Sequence, residues 1–75
     1  MTVTVLGLGF VGLTTALGLS GKGHRVYGFD VDVTRRETIA SGQLPFLEPG
    51  LDEALKQELN QHFHLTDAPA HAVSE

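Results

Sequence analysis

No cysteine occurs in this chain, so disulfides, thiolate metal sites and a cysteine nucleophile are all excluded from it. Tryptophan is missing as well. Nothing approaches the roughly 18 consecutive apolar residues of a membrane-spanning helix, and the opening MTVTVLGLG has no basic segment ahead of an apolar stretch. Positive charge is scarce. Five Lys and Arg stand against nine Asp and Glu, a formal charge of −4, so no basic surface argues for nucleic acid or a membrane as partner. A cytoplasmic location is the default expectation. At 75 residues the chain can form one small domain with a thin core, because a chain of this size buries only about 60% of its unfolded surface.

What the chain does have is glycine, nine of them, three at its first turn. In VTVLGLGFVGLTTALGL, residues 3–19, a run of small β-branched residues meets Gly7, Gly9 and Gly12 and then becomes helical. Thr2 to Leu6 reads as a strand of the composition expected where both faces of a parallel strand are covered. Leu13, Ala16 and Leu17 give a helical stripe that ends in Gly21-Lys22-Gly23. His24 to Asp30 is a second strand, and Asp32 caps a helix through about Ala40 that Gly42 ends. QLPFLEPG, with two prolines and a glycine, is a loop. From Leu51 an amphipathic helix buries Leu51, Ala54, Leu55 and Leu59 and exposes Asp52, Glu53, Lys56 and Gln57. His62 to Thr66 is a third strand, and Asp67 starts a further helix with Pro69 in its first turn.

The order β-α-β-α-α-β predicts a right-handed parallel α/β unit, the beginning of a Rossmann-type doubly wound sheet. A lone G-x-G-x-x-G is weak evidence, but here it falls between a strand and a helix. Gly7 can take the φ of a tight turn, Gly9 has no Cβ to block a pyrophosphate, and Gly12 lets the helix lie close on the strand. The helix start then presents its unpaired N–H groups to the phosphates. Asp30 follows at about the twenty-residue spacing at which an acid accepts hydrogen bonds from the adenosine ribose. A 2′-phosphate would be repelled there, which favours NAD over NADP, although Arg35 and Arg36 stand nearby. The plain alternative is a glycine turn that serves packing only.

GLGFVGLTTALGL, then GHRVYGFDVD, then SGQLPFLEPGL resembles the start of the UDP-glucose/GDP-mannose dehydrogenase family of nucleotide-sugar dehydrogenases. Pro45-Phe46-Leu47-Glu48-Pro49-Gly50-Leu51 is similar to that family's P-x-x-E-P-G-L signature, and the resemblance covers nearly the whole chain. It implies that Gly7, Gly9 and Gly12 wrap the pyrophosphate of NAD with Phe10 and Val11 supplying backbone amides, that Asp30 holds the ribose, and that Arg35 lies beside the adenosine end. Phe10 stands where the family more often has tyrosine, a difference of one ring hydroxyl.

The resemblance further implies oxidation of a sugar C6 alcohol to a carboxylate in two hydride transfers, through a thioester on a cysteine. Neither that cysteine nor the nucleotide-sugar pocket is expected within residues 1–75, so the chain is expected to be an N-terminal part of a longer, homo-oligomeric enzyme and inactive alone. Two other readings share the glycine turn: a hydroxyacyl-CoA or 6-phosphogluconate type of dehydrogenase, and a non-catalytic nucleotide-sensing module. PFLEPGL argues against the first of these. In the doubly wound order the first strand is central, so Thr2 to Leu6 is expected to leave an open edge through which the isolated chain associates, or else to stay partly ordered.

His62, His64 and His71 permit a metal site, but surface histidines are the better reading, and no metal or catalytic residue is assigned. Glu48 reads as a carboxylate favoured by a helix dipole, and Lys22 as a solvated helix-end charge.

Overall fold

The structure is a computed structural model that describes residues 2–67. Strand β1 (Thr2–Leu6), helix α1 (Phe10–Gly21), strand β2 (Arg25–Phe29), helices α2 (Val33–Ala40) and α3 (Leu51–Glu58), and strand β3 (Phe63–Leu65) follow in chain order. The three strands form one parallel sheet in the order β1-β2-β3, with Val3 opposite Val26 and Val26 opposite Phe63. This is the 3-2-1 half of a doubly wound sheet.

Alternation along the strands sorts the side chains onto two faces. Val3, Val5, Val26, Phe63 and Leu65 belong to the core or pack against it, and α1 brings Leu13, Ala16 and Leu17 onto them. Leu55 of α3 and Ile39 of α2 complete the core, while Asp52, Glu53, Lys56 and Gln57 are exposed, the split that their spacing predicts. The expectation that both faces of β1 are covered is corrected: Leu6 is 69% exposed and Thr2 is exposed too. Among the described residues β1 is also the outer strand, so one of its backbone edges has no strand beside it.

The middle strand needs a glycine. A Cβ on Gly28 would sit 2.8 Å from the Phe63 ring and 3.0 Å from Leu8 Cδ2, so the missing side chain is the space in which Leu8 and Phe63 meet. β2 and β3 are each one residue shorter at both ends than their sequence pattern predicts, which leaves Asp30 just past β2 and His62 in the turn before β3. Asp32 caps α2 as expected, its side chain accepting from the Arg35 amide at 3.1 Å. The further helix expected from Asp67 lies outside the described residues.

Candidate dinucleotide site

The glycine turn joins β1 to α1 at the carboxyl end of the sheet. Gly7 has φ +94°, a backbone that side chains rarely adopt, and its amide donates to the Phe29 carbonyl at 2.7 Å, extending the pairing of β1 with β2. Leu8 turns inward and is fully buried. Gly9 caps α1 with no side-chain hydrogen bond, and the first intrahelical bond runs from the Leu13 amide to the Gly9 carbonyl at 2.9 Å. The amides of Phe10, Val11 and Gly12 precede it and have no intrahelical acceptor. The first turn of α1 contains no acidic residue that would repel an anion.

Gly9 and Gly12 do different work. A Cβ on Gly9 would meet nothing within 4 Å. A Cβ on Gly12 would lie 1.8 Å from the Gly7 carbonyl oxygen, so only glycine lets α1 pass this close to the turn. The close approach at Gly12 is the helix packing that the motif's spacing predicts.

Asp30 is 5% exposed. Its Oδ1 accepts from the Asp32 amide at 2.8 Å, and its Oδ2 from the Leu8 amide at 2.7 Å and from Arg35 Nη1 at 3.1 Å. The Asp32 and Leu8 amides, then Arg35, outweigh the opposing effect of burial and hold the Asp30 carboxyl below its ordinary range. It is therefore ionised at neutral pH. A carboxylate has about four lone-pair sites, so this one retains acceptor capacity beyond its three donors.

The two arginines separate in space. Arg35 pairs with Asp30, while the guanidinium of Arg36 lies over the Phe29 ring, 5.5 Å from its centroid. Phe10 and Val11 at the start of α1, and Val31 and Val33 on either side of Asp32, are all exposed. Phe46 of the PFLEPGL loop packs edge-on against Phe10, with ring centroids 5.5 Å apart.

All seven residues singled out in the sequence, Gly7, Gly9, Phe10, Val11, Gly12, Asp30 and Arg35, fall within this turn or beside it. Sequence reasoning missed Leu8, whose amide is the bond between turn and carboxylate. The signal was an apolar residue between two glycines, facing a glycine in the next strand.

Among the described residues the histidines do not form a site. His62 Nδ1 lies 2.8 Å from Glu58 Oε1, one turn back along the chain, whereas the His64 ring lies against Tyr27. Among the described residues no three His, Cys, Asp or Glu side chains converge as metal ligands. Nor is any helix there long and apolar enough to cross a membrane. Glu48 is exposed, and it is its backbone carbonyl that accepts from the Leu51 amide at the start of α3. His71 lies outside the described residues.

A parallel β-α-β unit with a glycine turn beneath an open helix N-terminus, and an ionised carboxylate at the end of the next strand, defines a Rossmann-type dinucleotide-binding protein. The chain belongs to the UDP-glucose/GDP-mannose dehydrogenase family, whose NAD binding domain it matches over residues 1–75. It is 44% identical over 57 residues to the GDP-mannose 6-dehydrogenase of Pseudomonas aeruginosa, covering 76% of this chain and 13% of that protein. To the UDP-glucose 6-dehydrogenase of Bacillus subtilis it is 40% identical over 57 residues, again 76% of this chain and 13% of that one. The solved UDP-glucose dehydrogenase of Pyrobaculum islandicum superposes with a TM-score of 0.90 at 38% identity, over 97% of this chain and 17% of that one. The chain thus spans about a seventh of the length of the curated relatives it matches.

Proposed function

We propose that this chain supplies the pyrophosphate- and adenosine-binding half of the NAD site in a nucleotide-sugar 6-dehydrogenase of the UDP-glucose type, which oxidises the sugar C6 alcohol to a carboxylate. The observation that carries this reading is the 2.7 Å bond from the Leu8 amide to Asp30, which holds the ribose acceptor beside the open amides of α1. NAD, when bound, accepts a hydride in each of the two oxidation steps. The residues of this chain do the binding: the Phe10, Val11 and Gly12 amides hold the pyrophosphate, Gly7 and Gly9 shape the approach to it, and Asp30 receives the ribose hydroxyls with Arg35 alongside. No catalytic residue is assigned to residues 1–75, which would bind cofactor and turn nothing over alone. A second reading, with GDP-mannose as substrate, is favoured by the Pseudomonas relatives, and assaying the full-length protein with both nucleotide sugars decides between them.

The test is cofactor choice. The unmutated protein in its natural full-length form should strongly prefer NAD, because a 2′-phosphate would face the Asp30 carboxylate. Asp30→Ala should lower NAD affinity by about one to two orders of magnitude, the loss of hydrogen bonds to a charged acceptor, and narrow the gap to NADP. It should also cost about 1–3 kcal/mol of stability, because the Leu8 and Asp32 amides lose their acceptor. Equal turnover with NAD and NADP by the unmutated protein overturns the assignment.

We further propose that the protein is a homo-oligomer, and that the isolated 75-residue chain pairs through the open edge of β1, with two copies of Thr2–Leu6 meeting about a twofold axis. Sedimentation should show species larger than a monomer, or a partly ordered chain. A monodisperse, cooperatively unfolding monomer at micromolar concentration contradicts the edge argument.

A further inference from the structure

The loop between α2 and α3 alternates inward and outward residues. Leu44 and Phe46 pack against the core, while Pro45 and Leu47 point outward, Leu47 at 99% exposure. Its two ends are fixed by glycines of positive φ: Gly42, whose amide closes α2 on the Ile39 carbonyl at 2.9 Å, and Gly50, which caps α3. Between those ends, the loop's ring contact is with a site residue. Phe46 meets Phe10 with ring centroids 5.5 Å apart and planes at 67°, the edge-to-face geometry that aromatic pairs prefer.

Phe10 is the first residue of α1, and its amide opens the row of unpaired donors. Phe10 is 53% exposed, so core packing alone does not fix it. The Phe46 ring that meets it is itself braced on the core.

We infer that Phe46 is a positioning residue for the cofactor site: it acts through the Phe10 ring to keep the N-terminal face of α1 clear and its first amides in place for a pyrophosphate. The inference rests on the proposed NAD site. The stretch PFLEPGL, otherwise only a family signature, thereby takes part in cofactor binding without touching the cofactor.

Phe46→Leu in the full-length protein tests it, because leucine keeps the apolar anchor and removes the ring. Its thermal midpoint should stay within a few degrees of the unmutated protein. NAD affinity by calorimetry should fall about three- to tenfold, the range spanned by aromatic pairs. Phe46→Tyr should restore it, and in a Phe10→Leu background Phe46→Leu should cost nothing further. Should Phe46→Leu fail to fold, Phe10→Leu breaks the same pair from its exposed side and should show the same loss. Unchanged NAD affinity in the single variants, or losses that multiply in the double variant, overturns this inference alone. An unmutated protein that binds no NAD overturns the site assignment together with it.

Discussion

Gly9→Val should abolish NAD binding while the domain stays folded. Gly9 has φ −70° and ψ −166°, extended backbone open to any residue, and the side chain would enter open space. Losing glycine at an N-cap position costs the fold about 1 kcal/mol or less. The added isopropyl group, however, would fill the volume in front of the Phe10, Val11 and Gly12 amides and push a pyrophosphate off them. Two hydrogen bonds to a charged group lost together correspond to a roughly 10²- to 10⁴-fold weaker complex. Calorimetry with NAD, alongside a denaturant titration of the same variant, reads both quantities. Unchanged NAD affinity would show that Gly9 is not at the phosphates.

Gly12→Ala should do the reverse and damage the fold first. Its methyl group would be placed 1.8 Å from the Gly7 carbonyl oxygen and 2.9 Å from the Gly7 carbonyl carbon. Both are backbone atoms, so no rotamer change relieves the clash. Either α1 lifts from the turn, and Leu13, Ala16 and Leu17 lift with it, or the Gly7 turn is rebuilt. Overpacking of this kind costs about 1–3 kcal/mol and sometimes more, a large share of the roughly 5–15 kcal/mol that holds a domain folded. The denaturant midpoint should drop well below that of Gly9→Val, with NAD binding lost as a consequence. A midpoint equal to that of the unmutated protein would mean that helix and turn are not in contact at Gly12. Two glycines of one motif, three residues apart, thus separate on opposite readouts.

The elements that read correctly from the sequence are those set by local pattern. The β-branched run of β1, the i, i+3, i+4 stripe of Leu13, Ala16 and Leu17, and the Asp32 cap each depend on neighbours a few residues away. The packing role of Gly12 was legible because the motif ties that position to a steric demand, and the clash that a Cβ would meet there fits it. What could not be read are contacts across the fold. That the Leu8 amide would find Asp30, that Arg35 and not Arg36 would pair with it, and that Phe46 would reach Phe10 all depend on how α1 and α2 are set on the sheet. His62 illustrates the same limit: its alternation with Phe63 suggested a strand, but Glu58, one helical turn back, captures its ring in the turn.

The Leu8 to Asp30 bond joins groups 22 residues apart, through the whole of α1. Closing a loop of that length has an entropic cost that must be met before the bond can form. A chain in which β1 and α1 have condensed, but β2 has not docked, would therefore display helix amides with no acceptor for a ribose beside them. At the site proposed above, competence to hold a dinucleotide would require the sheet as well as the helix. A dinucleotide bound at that site would accordingly act on the folded side of the equilibrium and stabilise the native state by mass action.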